Sequence, residues 1–162
     1  MYTRLCATLS KICLVLAVIG LIAIILSVQW QVIGRYIFND TPTWAEALAL
    51  VLVLFVTAFG VAVGVRDAGH IGLESLVVLL PEKWQHRIEV LIHVLVGSFG
   101  VLMVYGGWIW MVAKWEEKKP MLPITDGIDF LPVVIAGALI VLFSIEHIIA
   151  LARGTVVEPA WN

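Results

Sequence analysis

Long runs without a charged residue constrain this chain most strongly. They lie between Lys11 and Arg35, between Glu46 and Arg66, between Glu89 and Lys114, and from Phe130 to Arg153, the last interrupted only by Glu146 and His147. About 20 apolar residues in a helix cross a bilayer core about 30 Å thick. In lipid, a helix satisfies its backbone polar groups within the segment. The sequence therefore predicts an all-α integral membrane protein with four transmembrane helices.

The runs set approximate boundaries for these elements. We expect a single four-helix membrane domain over residues 1–162, with spans at about 12–34, 47–65, 90–113 and 130–152. A further apolar stretch, about 71–80, stops at Pro81 and is too short to span. Its one acid, Glu74, lies opposite a leucine-rich side, which predicts a short interfacial amphipathic helix between helices 2 and 3. A loop packed on the other helices is the alternative.

Composition excludes several classes of protein. The chain is 62% hydrophobic and 14% charged, with a mean hydropathy of +1.05, whereas soluble domains have about 25% charged residues. A net charge of −2 without a basic stripe excludes a nucleic-acid partner. Two cysteines, Cys6 and Cys13, make neither a disulfide framework nor a zinc site, so we expect both to be packing residues.

Charge distribution predicts the orientation in the membrane. Four spans place both termini on the same side. That side would carry six basic residues, Arg4, Lys11, Arg66, Lys83, Arg87 and Arg153, against four on the other side, Arg35, Lys114, Lys118 and Lys119. Because basic residues favour the cytoplasmic side, we expect both termini in the cytoplasm.

No span carries a charged residue near its middle. Ion-coupled transporters usually keep an acid, a base or a broken helix at the bilayer midplane. The chain is thus poorly equipped to move a polar solute alone, which argues against a stand-alone exporter. We predict no enzyme activity, no catalytic, substrate-binding or metal-binding residues, and no cofactor. The alternative from a different class is a haem-binding anchor of an oxidoreductase, with His93 and His147 as ligands.

Polar residues at the span edges offer structural roles. Thr43 and Glu46 have the spacing of a capping box, and the preceding Pro42 offers a competing helix start. Arg35 and Glu46 would meet at the outer edge, as an ion pair or as a snorkelling arginine beside a helix cap. Small residues on spans two and three could serve the bundle itself or a partner.

Several of these blocks together resemble a known family. They are the segment Gln31-Val32-Ile33-Gly34-Arg35-Tyr36-Ile37-Phe38-Asn39, then Trp44-Ala45-Glu46, then Arg66, His70-Ile71 and Leu80-Pro81, and more loosely Pro120, Pro123 and Glu146. The chain resembles the small membrane subunit (DctQ-like, or Q subunit) of tripartite ATP-independent periplasmic (TRAP) transporters. It departs from the pattern at Ala47, where the family often has a second acid, and at Glu74, where it often has aspartate.

The resemblance implies a role and partners. The chain would be a small permease, or scaffold, subunit in the bacterial inner membrane, packed against a large membrane subunit. That subunit would drive uptake of a carboxylate solute, delivered by a periplasmic solute-binding protein, with an ion gradient. The residues that we expect in structure or at the partner interface are Arg35, Tyr36, Asn39, Trp44, Glu46, Arg66, His70, Glu74 and Glu146. Candidate contacts for the periplasmic protein are Asp40, Glu116, Glu117, Lys118 and Lys119, although such a charge run is also typical of a solvated loop.

Overall fold

The computed structural model describes residues 2–68, 82–155 and 157. Its long helices are α1 (Tyr2–Ile37), α2 (Thr43–Val63), α3 (Glu82–Ala113) and α4 (Leu131–Ala152). A π-helical turn, Gly64–Ala68, continues α2, and a 3₁₀ turn, Asp126–Phe130, leads into α4. Each of the four is long and apolar enough to cross a membrane. The predicted all-α membrane fold with four transmembrane helices is therefore confirmed.

The sequence also predicted the positions of the spans, an interfacial helix and the side of the membrane on which the termini lie. Each predicted span falls within one of the four helices, counting the turns that adjoin α2 and α4. The predicted interfacial helix at 71–80 lies outside the described residues. The cytoplasmic placement of both termini and the division into a single domain stay predictions.

The helices pack as neighbours in the order α1, α2, α4, α3. Helices α1, α2 and α4 enclose a hydrophobic core. It contains Cys6 and Cys13 of α1, Ala62 and Val63 of α2, and Leu139 and Phe143 of α4. Both cysteines are free and buried, as expected of packing residues. Helices α2 and α4 are central, whereas most side chains of α1 and α3 point outward. The flanking helices thus present broad apolar faces to their surroundings.

Glycine allows α3 and α4 to approach closely. A Cβ atom built on Gly137 would lie 2.6 Å from the carbonyl oxygen of Gly100, and one on Gly107 would lie 2.9 Å from Val134. By contrast, a Cβ atom on Gly60, Gly64 or Gly106 would meet no atom within 4 Å. The small residues that the sequence could not assign are thereby divided: Gly100 and Gly107 serve the bundle, and these other three face open space.

The turn between α1 and α2 explains the first sequence block of the resemblance. The carbonyl oxygen of Gly34 accepts hydrogen bonds from the amides of Phe38 (3.2 Å) and Asp40 (3.1 Å). A Cβ atom on Gly34 would lie 2.8 Å from the Asp40 carbonyl oxygen and 2.8 Å from Pro42. Asn39 has a φ of 50°, a left-handed conformation that asparagine tolerates well. Gly34 and Asn39 are thus the residue types that this tight turn requires.

The predicted capping box is wrong. Helix α2 begins at Thr43, with Pro42 at the N-cap position and no side-chain capping hydrogen bond. The amide of Ala45 instead donates to the Pro42 carbonyl oxygen at 3.1 Å. Because the Gly34 turn fixes the path of Pro42, Thr43 already lies inside the helix and its hydroxyl cannot act as the cap.

Candidate functional site

A buried ion cluster joins the helices at one end of the bundle. Its acidic and basic members are Arg66 and Asp67, in the π-helical turn after α2, and Glu146 near the end of α4. The side chains of all three are no more than 2% exposed. We refer to these three residues, with Ser10, Cys6, His147 and His93, as the buried cluster.

The guanidinium of Arg66 is the centre of the cluster. It donates through Nε to Glu146 Oε2 at 2.9 Å and through Nη2 to Glu146 Oε1 at 3.1 Å. Its Nη1 donates to Asp67 Oδ1 at 2.5 Å. The Glu146 contact is a bidentate fork, the geometry that distinguishes arginine from lysine. One side chain therefore holds the end of α2 to α4.

Helix α1 is joined to the same cluster. The hydroxyl of Ser10 donates to Asp67 Oδ2 at 2.5 Å, and Ser10 itself is fully buried. Cys6, one turn away, is also fully buried at this end of α1. The Asp67 carboxylate thus has a partner on α1 as well as on Arg66.

Helix α3 is joined through two histidines. Nε2 of His147 lies within hydrogen-bonding distance of the Arg66 carbonyl oxygen, at 3.0 Å. The ring of His93 stacks on that of His147, with centroids 4.4 Å apart and planes 7° from parallel. All four helices therefore meet in one polar contact set, with the charged groups at its centre.

The geometry of the histidines does not suit haem. Two histidines that bind one iron must each point a ring nitrogen at the metal from opposite sides. Here the two rings stack face to face, and Nε2 of His147 is directed at the Arg66 carbonyl oxygen. The described residues also contain no group of three or more metal-binding side chains.

The cluster unites two predicted residues and adds others. Arg66 and Glu146 are among the residues predicted for structure or the partner interface, but nothing in the sequence paired them. His70 and Glu74 lie outside the described residues. Asp67, Ser10 and Cys6 were not predicted as members. A signal for Asp67 was present, because an acid beside a basic residue at the end of an apolar run needs its own partner.

At the opposite end, the outer-edge residues are exposed. Arg35, Tyr36, Asn39, Asp40 and Glu46 are all exposed, and Trp44 is 44% exposed. Among the ion pairs of the described residues, none joins Arg35 to Glu46.

Glu46 has a different neighbour from the predicted one. The side-chain amide of Gln31 donates to Glu46 Oε2 at 3.5 Å. The outer edge of α1 and α2 thus presents Arg35 and Glu46 without an ion pair among the described residues. Such charge is available to a partner.

The loop between α3 and α4 is an ordered hairpin. Lys118 and Thr125 form an antiparallel bridge, and backbone hydrogen bonds join Lys119 to Ile124 (2.9 Å) and Asp126 to Glu117 (2.8 Å). The Lys119 ammonium group pairs with the Asp129 carboxylate, and its Nζ lies 3.7 Å from Asp126 Oδ1.

Ion pairs hold some residues of the charged run 116–119 and leave others exposed. Lys114 pairs with Glu117 at 2.6 Å, and Lys119 is held by the acids of the 3₁₀ turn. Glu116 and Lys118 are exposed. Glu116 and Lys118 are thus the exposed residues of the run that have no ion pair among the described residues.

Comparison with known proteins decides the family. Residues 24–154 match the family model described as tripartite ATP-independent periplasmic transporters, DctQ component. The chain belongs to this family. It is a TRAP transporter small permease subunit, a multi-pass protein of the bacterial inner membrane, and the predicted resemblance is confirmed. Its partners in the tripartite system are the large membrane subunit and the periplasmic solute-binding protein.

Individual relatives agree with the family. A Haemophilus influenzae protein described as a TRAP transporter small permease is 20% identical over 146 residues, which cover 88% of each chain. The sialic acid TRAP transporter small permease SiaQ of Vibrio cholerae is 29% identical over 54% of this chain and 52% of its own length. A C4-dicarboxylate TRAP transporter small permease, DctQ of Vibrio cholerae, is 26% identical over 62% of this chain and 45% of its own.

Proposed function

We propose that this small permease subunit is a rigid scaffold for ion-gradient-driven uptake of a carboxylate solute. In this role it holds the large membrane subunit in the bilayer and takes no direct part in solute movement. The solute reaches the large subunit from the periplasmic binding protein. The observation that carries the proposal is the buried cluster, which ties all four helices together at one end.

The position of charge in the helices supports a passive role. The charge-free runs of α1, α2 and α3 extend from one edge to the other, and α4 adds Glu146 only near its end. Glu146 is already bound by Arg66 in a bidentate pair. A solute or cation crossing through this chain would find no charged group at the midplane to replace its hydration.

The class of solute is supported by the relatives. One relative is named for sialic acid and another for C4-dicarboxylates, and both kinds of molecule are carboxylates. Since no run of the small permease carries a charged residue near its middle, discrimination among carboxylates belongs to the other two subunits.

Reconstitution tests the scaffold role. We expect proteoliposomes with both membrane subunits, the binding protein and an inward sodium gradient to take up radiolabelled sialic acid or a C4-dicarboxylate. Liposomes with this chain alone should take up neither solute. Uptake of either solute by the isolated chain would overturn the scaffold role.

Arg35 provides a test of the outer edge. Because Arg35 is exposed and forms no ion pair among the described residues, we expect Arg35→Ala to weaken assembly with the large subunit and to lower uptake several-fold. The folded state of the chain itself should not change. Co-purification with the tagged large subunit and uptake would both be measured at equal membrane abundance. Unchanged values for both would remove Arg35 from the interface.

A further inference from the structure

An open groove of about 660 Å³ lies between α3 and α4 on the outside of the bundle. Its α3 side contains Val101, Tyr105 and Trp108, and its α4 side contains Ala138 and Leu142. Aliphatic and aromatic side chains form its lining. The groove is therefore apolar, and Tyr105 is the lining residue that carries a hydroxyl.

Tyr105 lies near the middle of the membrane. It is nine residues before Lys114, at the outer end of α3, and twelve residues after His93, at the level of the buried cluster. With a rise of 1.5 Å per residue, these separations are about 14 Å and about 18 Å. Helical side chains also lean towards the helix N-terminus, which directs the hydroxyl away from the nearer, outer boundary.

A tyrosine hydroxyl at this depth needs a partner. Tyr105 is 68% exposed, and among the described residues no group forms a hydrogen bond with it. Ser27 and Ser98, two other hydroxyls in the apolar segments, each donate at 2.8 Å to the carbonyl four residues earlier. The rigid ring of Tyr105 holds its hydroxyl too far from the helix backbone to donate to such a carbonyl. Acyl chains offer no acceptor, so exposure of this hydroxyl to lipid is costly.

The outward face of α1 provides the contrast. From Ile12 to Leu26, its large exposed side chains are all aliphatic. Such a face matches acyl chains and needs nothing else from its surroundings. The two flanking helices therefore face different environments: α1 is suited to lipid, and the α3–α4 groove is suited to protein.

We propose that the α3–α4 groove receives one transmembrane helix of the large membrane subunit, which supplies a hydrogen-bond acceptor to the Tyr105 hydroxyl. The proposal rests on the scaffold function and specifies where the scaffold holds its partner. A longer relative supports this kind of occupant. The sialic acid TRAP transporter permease SiaT of Haemophilus influenzae is 30% identical over 77 residues, which make up 48% of this chain but 12% of that protein. The matched residues are thus a small part of a much longer permease protein.

Photo-crosslinking in the intact transporter tests the contact. Trp108→benzoylphenylalanine places the probe in the groove and keeps Tyr105, and Ile22→benzoylphenylalanine places the same probe on the exposed face of α1. After irradiation of membranes that contain all components, we expect the Trp108 probe to form a covalent product with the large subunit. The Ile22 probe should form none.

Substitution of the hydroxyl tests the hydrogen bond. Tyr105→Phe should weaken association with the large subunit about three- to twentyfold, the range that hydrogen bonds between helices give in membranes. Ser98→Ala is the matched control, because the Ser98 hydroxyl is already satisfied within α3. We expect it to leave association unchanged, as measured by titration of labelled subunits in nanodiscs.

Other results would overturn the groove assignment. Crosslinks from Trp108 only to lipid or to a second copy of this chain would do so, as would a product from Ile22 in place of Trp108. In all three cases co-purification of the large subunit would still stand, so the scaffold function would survive. Failure of the two subunits to co-purify at all would instead reject the scaffold function.

Discussion

Replacing Arg66 by methionine should lower the free energy of unfolding by about 3–5 kcal/mol, the usual cost of removing one partner from a buried ion pair. The variant leaves Asp67 and Glu146 buried, with side chains 0% and 2% exposed, and without their shared cation. Denaturant titration in detergent micelles, followed by tryptophan fluorescence, would measure the change. The free energy of unfolding of Arg66→Lys should lie between those of the natural chain and Arg66→Met. Lysine keeps the charge but cannot form the bidentate fork with Glu146.

Two further variants test whether the loss of stability comes from the buried charges. Arg35→Met makes the same change at an exposed arginine without an ion pair among the described residues, and it should alter stability by no more than about 0.5 kcal/mol. The triple variant Arg66→Met, Asp67→Asn, Glu146→Gln removes the buried charges together and should recover much of the loss. If Arg66→Met unfolded at the same denaturant concentration as the natural chain, the buried cluster would not be what joins the helices.

The sequence predicted the four helices because each depends on a local property. A charge-free run of sufficient length must become a helix in lipid, whatever it packs against. Charged residues at the ends of the runs then set approximate boundaries. The same logic excluded midplane chemistry and thereby favoured a subunit without its own transport site.

The buried cluster could not be predicted in the same way. Ser10 is separated from its partner Asp67 by 57 residues, and Arg66 is separated from Glu146 by 80. Which residues meet depends on the order α1, α2, α4, α3 and on helix rotation, and neither property is encoded in hydrophobicity. Arg66 and Glu146 could be recognised as needing polar partners, but the sequence could not show that they satisfy each other.

Local capping failed for a related reason. Thr43 and Glu46 fit the capping-box pattern in sequence, yet the backbone path at Pro42 is fixed by contact with Gly34, a residue of the preceding helix. A tertiary contact thus moved the helix start by one residue. The glycines of spans two and three posed the same problem, since only packing shows that Gly100 faces α4 while Gly60 faces open space.

That close approach gives the second large effect. Gly137→Leu should destabilise the chain by about 3 kcal/mol or more, at the upper end of the cost of overpacking. Its Cβ atom would lie 2.6 Å from the Gly100 carbonyl oxygen and 2.9 Å from the Val104 amide nitrogen, both backbone atoms that no rotamer change can move. Helices α3 and α4 would have to separate, which would also part the stacked rings of His93 and His147.

Gly106→Leu is the matched control for this variant. It introduces the same side chain in α3, where a Cβ atom has no neighbour within 4 Å, and leucine is a better helix former than glycine by up to about 1 kcal/mol. We therefore expect Gly106→Leu to be neutral or slightly stabilising in the same denaturant titration, while Gly137→Leu unfolds much earlier. Equal midpoints for the two variants would show that α3 and α4 are not held in backbone contact at Gly100 and Gly137. Contacts elsewhere along α3 and α4 would then have to hold His93 against His147 in the buried cluster.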